Sequence, residues 1–258
     1  MELKRLTLSI LIITKNEAEL ISDCLLSCQF ADEIILLDSG SIDSTPEIAK
    51  ELGAKVYIDK EWEGFGKQRQ KIQNYATCDL VLMIDADERI SSELQSEIKC
   101  ILNGGLPVNE VYAIPRLNFF LGRYMKYSGW FPDYVIRLYS REHFRYKDDL
   151  VHESLNFGDA KVKKLKGYFT HLTCRDLFQF QKKQLHYAQI WASERAIAHK
   201  RCNYSSIWIH TIAAFFKTYF IKCGFLDGKQ GLLLSFVNAN YTFNKYTILW
   251  INKSENSR

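Results

Sequence analysis

The chain has 258 residues, of which 47% are hydrophobic and 25% charged, so wholesale disorder is excluded and one sizeable α/β domain with an appendage is expected. Its charge is uneven: residues 1–160 contain 18 basic and 26 acidic side chains, whereas residues 161–258 contain 16 and 4. The basic, aromatic second part suggests an anionic partner, which could be a membrane surface, an acidic substrate or a nucleic acid. The seven cysteines are an odd number without a C-x-x-C pair, which favours reduced thiols over a disulfide framework.

Residues 1–105 alternate short apolar runs with amphipathic stretches. We predict strands at 6–13, 34–37, 56–58 and 80–84, with helices between them and a last helix ending at Gly104-Gly105. Ser44 with Glu47 fits a capping box, Gly53 suits a helix end, and Ser91 or Ser92 suits a helix start. This alternation predicts a mostly parallel sheet with helices on both faces, and the carboxyl ends of its strands meet at one edge, where ligands bind.

The second half changes character. Residues 111–160 are rich in aromatic and β-branched side chains, which predicts hairpins. From about residue 176 the pattern is helical again, over 177–199 and over a very aromatic stretch at 207–225. We therefore expect an α/β fold followed by a helical C-terminal extension.

Two acidic residues directly follow the predicted strand 80–84. Asp85 and Asp87 are one residue apart, so both carboxylates can share a hard cation and present it to a diphosphate. Carboxylate oxygens suit Mg²⁺ or Mn²⁺, which keep open positions for phosphate. The sequence therefore predicts a metal site at Asp87 and Asp85; the alternative is a pair of solvated loop carboxylates.

Two further clusters are candidates for ligand contacts. Asp38 ends the second strand and could accept hydrogen bonds from a base or ribose, or serve only in the turn that Gly40 permits. Asp43 suits the turn or a helix N-cap better. Lys67 and Arg69 lie near a helix start in a glycine-containing segment, which suits phosphate contacts; the alternative is an exposed basic helix.

A later segment places an imidazole beside a carboxylate. Glu153 could take a proton from an attacking hydroxyl, and His152 could orient or polarise it. The alternative is a surface pair or a structural histidine. For His171 the sequence leaves the choice between a structural and a functional role open.

Several short motifs occur together. The first half has Thr14-Lys15-Asn16-Glu17, Asp38-Ser39-Gly40-Ser41 with Asp43-Ser44-Thr45, Gly66-Lys67-Gln68-Arg69 and Asp85-Ala86-Asp87-Glu88. Later ones are Gly129-Trp130-Phe131-Pro132-Asp133-Tyr134 with Arg137-Leu138, Val151-His152-Glu153 and Gly224-Phe225-Leu226-Asp227-Gly228. The set resembles family 2 glycosyltransferases of the GT-A fold, and more closely the bacterial lipopolysaccharide core β-1,4-glucosyltransferases. The resemblance covers roughly 6–231 and is most specific in 10–90.

The resemblance implies an inverting, metal-dependent transfer of a sugar, glucose from UDP-glucose, to a lipopolysaccharide inner-core acceptor. It makes Asp87 the principal metal ligand, with Asp85 touching ribose or metal. It places Glu153 where the family has its general base, with His152 beside it, although the spelling Val-His-Glu departs from the acidic pair of many relatives. The donor-side residues that it implies are Thr14, Asn16, Glu17, Asp38, Gly40, Lys67, Arg69 and Asp85.

On this interpretation residues 1–105 bind the donor, 106–175 bind the acceptor and 176–258 form a basic aromatic extension. We expect a cytoplasmic protein without a signal peptide or spanning helix, held peripherally on the inner face of the cytoplasmic membrane by the extension. The alternative is that the aromatic side chains pack on the catalytic domain or form an oligomer interface. No nucleic acid is expected beyond the donor nucleotide.

Two rival functions have sequence features that separate them from this interpretation. A sugar-nucleotide nucleotidyltransferase also places carboxylates and a metal on an α/β edge, but commonly has a glycine-rich basic loop after its first strand. Here Ile13 is followed by Thr14-Lys15-Asn16-Glu17, with no glycine. A degenerate binding module would be expected to lose Asp87 or Glu153, and both are present. A glycosyltransferase acting on another surface glycan stays open.

Overall fold

The structure, a computed structural model, describes residues 5–106, 108–147, 154–198 and 202–255. Its contacts divide the chain into two compact units. The first comprises the described residues of Met1–Arg116 and Asp133–His171, and the second those of Leu117–Pro132 and Leu172–Arg258. The sequence analysis divided the chain at residues 105 and 175 by what each part is expected to bind. These units are defined by contacts within the chain, so that division stays a prediction.

Strands and helices alternate up to residue 102, strands dominate up to residue 174, and helices follow. In chain order the elements are β1 (Leu8–Thr14), α1 (Ile21–Cys28), β2 (Glu33–Asp38), α2 (Thr45–Glu51), β3 (Lys55–Ile58), α3 (Phe65–Gln73), β4 (Leu80–Asp85), β5 (Glu88–Ile90), α4 (Ser92–Leu102), β6 (Glu110–Phe120), β7 (Arg123–Tyr124), β8 (Asp133–Ser140), β9 (Arg145–Tyr146), β10 (Leu155–Asn156), β11 (Lys161–Lys164), β12 (Phe169–Cys174), α5 (Leu177–Ile197), α6 (Tyr204–Phe216) and α7 (Gly228–Glu255). A π-helical turn (Lys217–Ile221) and a 3₁₀ turn (Gly224–Asp227) lie between α6 and α7.

Ten of the described strands form one mixed sheet. Its order is β3-β2-β1-β4-β8-β6-β12-β5, with β11 and β7 also paired to β6. The first four strands in this order run parallel to one another, whereas β8 is antiparallel to both β4 and β6. The parallel part agrees with the predicted βα alternation, and the antiparallel part agrees with the hairpins predicted over 111–160.

The central strands are apolar along their whole length because both faces of the sheet are covered. In β1, Leu8, Ile10 and Ile12 belong to the core that α1, α2 and α4 complete, whereas Leu11 and Ile13 belong to the core that contains α3. Helices on both faces were predicted and are confirmed. All seven cysteines are free thiols, as the sequence indicated.

The helix caps were predicted with mixed success. Ser91 accepts a hydrogen bond from the Leu94 N–H at 3.2 Å and caps α4 as predicted. The capping box at Ser44 is wrong, because the Ser44 side chain makes no cap hydrogen bond. Ser44 still stands at the N-cap, and the carboxylate of the preceding Asp43 accepts the Thr45 N–H at 3.1 Å. Of the two structural alternatives for Asp43, the turn residue therefore describes it and the N-cap does not.

In the second unit α7 packs along both α5 and α6. The single helix predicted over 207–225 is only partly correct, because regular helix ends at Phe216. The left-handed Cys223, at φ 52°, ends the π-helical turn before the 3₁₀ turn begins. A Cβ on Gly231 would lie 1.8 Å from the Gly224 carbonyl oxygen, so the 3₁₀ turn and α7 approach more closely than a larger residue allows. Within the described residues, no helix has the length and apolar character needed to cross a bilayer.

Candidate active site

The predicted donor-side residues begin at one edge of the parallel strands. Thr14 at the end of β1 pairs in register with Asp38 at the end of β2, and its neighbour Ile13 pairs with Asp85 at the end of β4. The loops that follow these three strands therefore start side by side, as the topology rule requires. This edge is where the first unit brings its polar side chains together.

Asp38 organises the loop that follows β2. Its carboxylate accepts the backbone N–H groups of Gly40 at 3.0 Å and Ser41 at 2.8 Å, and also the Ser41 hydroxyl. Gly40 adopts φ 82°, a conformation that costs glycine little. The Asp38 side chain is buried, so in this structure it shapes the turn, and its contact with a nucleoside stays a prediction.

The loops after β1 and β2 are joined by reciprocal hydrogen bonds. The Asn16 N–H donates to the Ser41 hydroxyl at 2.8 Å, and the Asn16 side-chain carbonyl accepts the Ile42 N–H at 2.8 Å. The Glu17 N–H donates to the Thr45 hydroxyl at 2.9 Å. Asn16 adopts φ 57°, which asparagine tolerates better than most residues. These bonds hold the two predicted nucleoside loops in one arrangement.

Asp85 lies between two buried arginines. Its Oδ1 is 2.7 Å from Nη2 of Arg69, and its Oδ2 is 2.9 Å from Nη2 of Arg137. The arginine side chains are only 1% and 6% exposed. Burial by itself would raise the pKa of Asp85, but the charges of Arg137 and Arg69 and the hydrogen bond from Arg69 lower it well below its usual range. Asp85 is therefore a carboxylate whose two oxygens are already engaged by cations.

Lys67 and Arg69 do not lie on an exposed basic helix, which was the alternative to phosphate contacts for this segment. Arg69 points into the protein, and its guanidinium carbon lies 5.4 Å from the Tyr146 ring centroid. Lys67 is half-buried and lies two residues before Arg69 on α3. The segment therefore contributes a buried cation next to Asp85, and its predicted phosphate contacts stay a prediction.

Glu88 supports the Asp85–Asp87 loop from behind. Its Oε2 accepts the Asp85 N–H at 2.9 Å, its side chain is fully buried, and Arg116 Nη1 lies 3.8 Å from its Oε1. Burial, together with the negative charge of Asp85, raises the pKa of Glu88. Arg116 in turn pairs with Asp133 at 2.6 Å. The loop after β4 is thus fixed by a chain of charged groups rather than left mobile.

Asp87 faces His171, and both side chains carry atoms that could bind a metal ion. Asp87 Oδ2 is 3.3 Å from His171 Nε2, and the two side chains are 35% and 14% exposed. The carboxylate oxygens of Asp87 suit Mg²⁺ or Mn²⁺, the imidazole nitrogen is a ligand that transition-metal ions accept more readily than Mg²⁺ does, and solvent access leaves room for phosphate oxygens. Within the described part of the chain no three His, Cys, Asp or Glu side chains cluster as a ready-made metal site. The pair therefore fits a cation that takes its other ligands from elsewhere.

Sequence reasoning left His171 undecided and did not identify Arg137, Glu88 and Arg116 as parts of the site. β12 pairs with β5 so that His171 lies opposite Glu88, next to Asp87. Glu88 and Arg137 do stand in the motifs Asp85-Ala86-Asp87-Glu88 and Arg137-Leu138, but without an assigned role. For Arg116 and His171 the sequence signal is only their position in the strand-like runs Glu110–Phe120 and Phe169–Cys174. His152 and Glu153 lie outside the described residues.

The comparison that decides the family covers this edge and the strands that support it. A family model described as glycosyl transferase family 2 matches residues 9–150. The chain belongs to glycosyl transferase family 2. This match agrees with the motifs at Asn16, Asp38 and Asp87, and it favours sugar transfer over the rival nucleotidyltransferase.

Relatives of this family 2 glycosyltransferase align along nearly the whole chain. An uncharacterised glycosyltransferase of Rickettsia typhi is 31% identical over 243 residues, which are 90% of this chain and 82% of the relative. The lipopolysaccharide core biosynthesis glycosyltransferase LpsC of Rhizobium meliloti is 24% identical over 272 residues, covering 95% and 94%. The alignments therefore extend beyond residues 9–150, which the family model matches, into the helical part.

A solved structure establishes the fold. The mannosyltransferase PcManGT from Pyrobaculum calidifontis, in complex with GDP-Man and Mn²⁺, superposes with a TM-score of 0.56 over 96% of this chain and 88% of that protein, at 13% identity. The family 2 glycosyltransferase described here has the predicted GT-A fold, with a helical C-terminal part.

Proposed function

We propose that this glycosyltransferase transfers glucose from UDP-glucose to an inner-core hydroxyl of lipopolysaccharide, with inversion to a β-glycosidic bond. The observation that carries the proposal is the partly exposed pair of Asp87 and His171, beside an Asp85 that two arginines neutralise. This arrangement offers a cation site with open positions next to fixed positive charge. Both features suit a departing nucleoside diphosphate.

We propose that Asp87 is the principal ligand of a Mg²⁺ or Mn²⁺ ion and that His171 is a second ligand. When bound, the ion would offset negative charge on the diphosphate leaving group. The resemblance implies that Asp85 touches the ion or the ribose, whereas we propose a positioning role for it. It holds Arg69 and Arg137 and fixes the direction in which the loop presents Asp87. The archaeal mannosyltransferase was solved with GDP-Man and Mn²⁺, and our proposal extends this combination of a nucleotide sugar and a cation to the present chain.

For the nucleoside we propose the joined loops after β1 and β2, with Thr14, Asn16, Glu17, Asp38 and Gly40. Their backbone conformation is fixed by hydrogen bonds from within the protein, so little ordering is needed when the donor binds. Glu17 and Asn16 are exposed enough to contact it. Lys67, near the start of α3, is the proposed cation for the donor phosphates.

We propose Glu153 as the general base that accepts the proton of the acceptor hydroxyl, with His152 orienting that hydroxyl. This assignment rests on the motif Val151-His152-Glu153. A single base without a covalent intermediate gives one displacement, so an α-linked donor sugar yields a β-linked product. The relative LpsC, named for lipopolysaccharide core biosynthesis, supports the acceptor class. A membrane-anchored glycolipid also agrees with the predicted peripheral location on the inner face of the cytoplasmic membrane.

Incubation with a panel of UDP- and GDP-sugars tests the donor. UDP release should be fastest with UDP-glucose and should need Mg²⁺ or Mn²⁺. Adding lipopolysaccharide truncated to the inner core should accelerate release and give a product whose anomeric proton coupling indicates a β-glucoside. Release from a different nucleotide sugar would overturn the donor assignment. No acceleration by any inner-core acceptor would favour another surface glycan.

A further inference from the structure

The outward face of α6 is apolar, although it is open to solvent in the described chain. Ile209, Ile212 and Phe216 are spaced three and four residues apart and so share one face, where they are 63%, 54% and 52% exposed. On another side of the helix Ile207 is buried, and α6 packs along α7. A helix that is apolar on both faces is normally buried on both. The outward face of α6 is therefore a surface suited to an apolar environment.

The same surface continues around the turns that follow α6. Phe216 stacks on Phe220 at a centroid distance of 5.4 Å, and Phe225 lies edge-on to Tyr219 at 6.2 Å. Exposed Ile221 lies next to Phe220 in the π-helical turn. We refer to the six exposed side chains as the apolar corner, which consists of Ile209, Ile212, Phe216, Phe220, Ile221 and Phe225.

The backbone of the apolar corner is fixed by close packing. A Cβ on Gly224 would lie 2.7 Å from the Thr218 carbonyl oxygen, and one on Gly231 would lie 1.8 Å from the Gly224 carbonyl oxygen. Both distances are shorter than real Cβ contacts, so no larger side chain fits at either position without movement. The corner is therefore preformed, and little conformational entropy is lost when it docks.

Exposed lysines accompany the apolar corner along the chain. Residues 202–252 contain four lysines, of which Lys217 and Lys222 lie between residues of the corner and Lys229 lies four residues after it, and these three are exposed. The single acidic residue in this range, Asp227, is fully buried and accepts the Lys126 and Tyr127 N–H groups at 3.1 and 3.0 Å. No carboxylate of this described range is therefore exposed to balance the lysines.

We propose that the apolar corner docks on an anionic lipid bilayer, with its side chains among the headgroups and its lysines on lipid phosphates. The 13 residues of α6 span about 20 Å, less than the roughly 30 Å hydrocarbon core, so the helix lies in the interface rather than crossing it. A symmetric contact between two copies would bring the lysines of each corner towards the same lysines of the other, which favours lipid over a second copy. The inference deepens the proposed function and rests on it in one respect, because the acceptor proposed there is anchored in a membrane.

Vesicle flotation of the full chain tests the docking without any sugar transfer. Vesicles of phosphatidylcholine alone are compared with vesicles that also contain phosphatidylglycerol, at low and high salt. We expect the protein to float with the anionic vesicles at low salt, and less at high salt because the lysine contribution is screened. A protein that stays in solution with anionic vesicles at low salt would overturn the proposal.

Two sets of variants locate the binding surface. The triple variant Ile209→Gln, Ile212→Gln and Phe216→Gln should lower the partition coefficient by about 100-fold or more, because three bulky apolar groups no longer enter the interface. Changing Lys217 and Lys222 to Gln should lower it roughly fivefold per lysine and only for anionic vesicles. The lysine variant leaves the apolar packing intact, so it still tests the proposal if the triple variant folds poorly.

The matched control is the triple variant Phe178→Gln, Leu185→Gln and Ile197→Gln on α5. These apolar side chains are equally exposed but lie outside the apolar corner, so vesicle binding should be unchanged. Equal loss of vesicle binding in both triple variants would overturn the assignment of binding to the apolar corner. If the wild type instead forms a dimer that only the α6 variant disrupts, and does not bind vesicles, the corner contacts a second copy. UDP release measured without vesicles keeps the two proposals separate, because a protein that floats but releases no UDP contradicts the proposed function alone.

Discussion

Replacing Asp85 by Asn should make the protein markedly easier to unfold, in addition to slowing its reaction. The two guanidinium groups that contact Asp85 belong to almost fully buried side chains, so the change leaves two positive charges away from water. Removing one partner of a buried ion pair costs about 3–5 kcal/mol. Asp85 keeps 28% side-chain exposure, which lets water replace part of the lost interaction. We therefore expect the unfolding free energy to fall by about 3 kcal/mol.

The control is Asp87→Asn, two positions along the same loop. Asp87 is more exposed and its described ion-pair partner is a histidine, so the loss should stay below about 1 kcal/mol. Urea unfolding followed by tryptophan fluorescence measures both variants under identical conditions. A wild-type-like Asp85→Asn, or equal losses in the two variants, would refute the view that Asp85 is structural and Asp87 chemical.

Three further predictions concern pH, metal affinity and catalysis. Burial opposes ionisation of Glu33, but hydrogen bonds, first that of Lys55 at 2.7 Å, lower its pKa, so Glu33→Gln should cost about 1–3 kcal/mol at neutral pH. Thermal melts should show the full stability difference between wild type and Glu33→Gln above the unfolded-state pKa of about 4.3. The difference should shrink as the pH falls from there through the lower folded-state pKa, because Glu33 then becomes protonated in the folded protein. Transfer at neutral pH should be unchanged. His171→Ala should raise the Mn²⁺ concentration for half-maximal UDP binding about tenfold or more, measured by calorimetry; an unchanged value would exclude His171 as a ligand. Glu153→Gln should lower transfer by on the order of 10²–10⁴ while UDP binding is retained, and normal turnover would move the base to a residue such as Asp148 or Asp149.

The part of the site that follows directly from the sequence is the part that depends on strand ends. Continuous apolar runs identified β1, β2 and β4, and the residues directly after them had to meet at one edge. The sequence alone therefore predicts that Asn16, Asp38 and Asp85 lie together. The resemblance to family 2 glycosyltransferases came from the same short loops, and the family match confirms it.

The rest of the site depends on which strands become neighbours late in the chain. Arg137 reaches Asp85 because β8 pairs antiparallel with β4, and His171 reaches Asp87 because β12 pairs antiparallel with β5. Local sequence does not encode these registers, so neither partner could be paired with its aspartate from spacing alone. Arg69 was assigned to phosphate for a similar reason, since an arginine near a helix start gives no sign that its side chain points inward.

Local competition between side chains explains the remaining differences. Ser44 and Asp43 could both accept a hydrogen bond at the start of α2. Ser44 stands at the N-cap without a side-chain cap hydrogen bond, and the Asp43 carboxylate accepts the Thr45 N–H instead. The stretch 207–225 looked like one helix because every residue in it is compatible with helix except Gly224. The structure instead ends regular helix at Phe216, continues as a π-helical turn and breaks at the left-handed Cys223, and the sequence pattern signals neither change.

The metal-binding role of Asp87 is tested most directly by measuring UDP binding with and without Mn²⁺ in the wild-type protein and in Asp87→Ala. Calorimetry should show tight UDP binding by the wild type only when Mn²⁺ is present, and weak, Mn²⁺-independent binding by the variant, which should also have lost glucose transfer. Urea unfolding confirms that the variant is folded. Wild-type-like UDP binding and transfer by Asp87→Ala in the presence of EDTA would contradict the central claim that Asp87 holds the metal that this transferase uses.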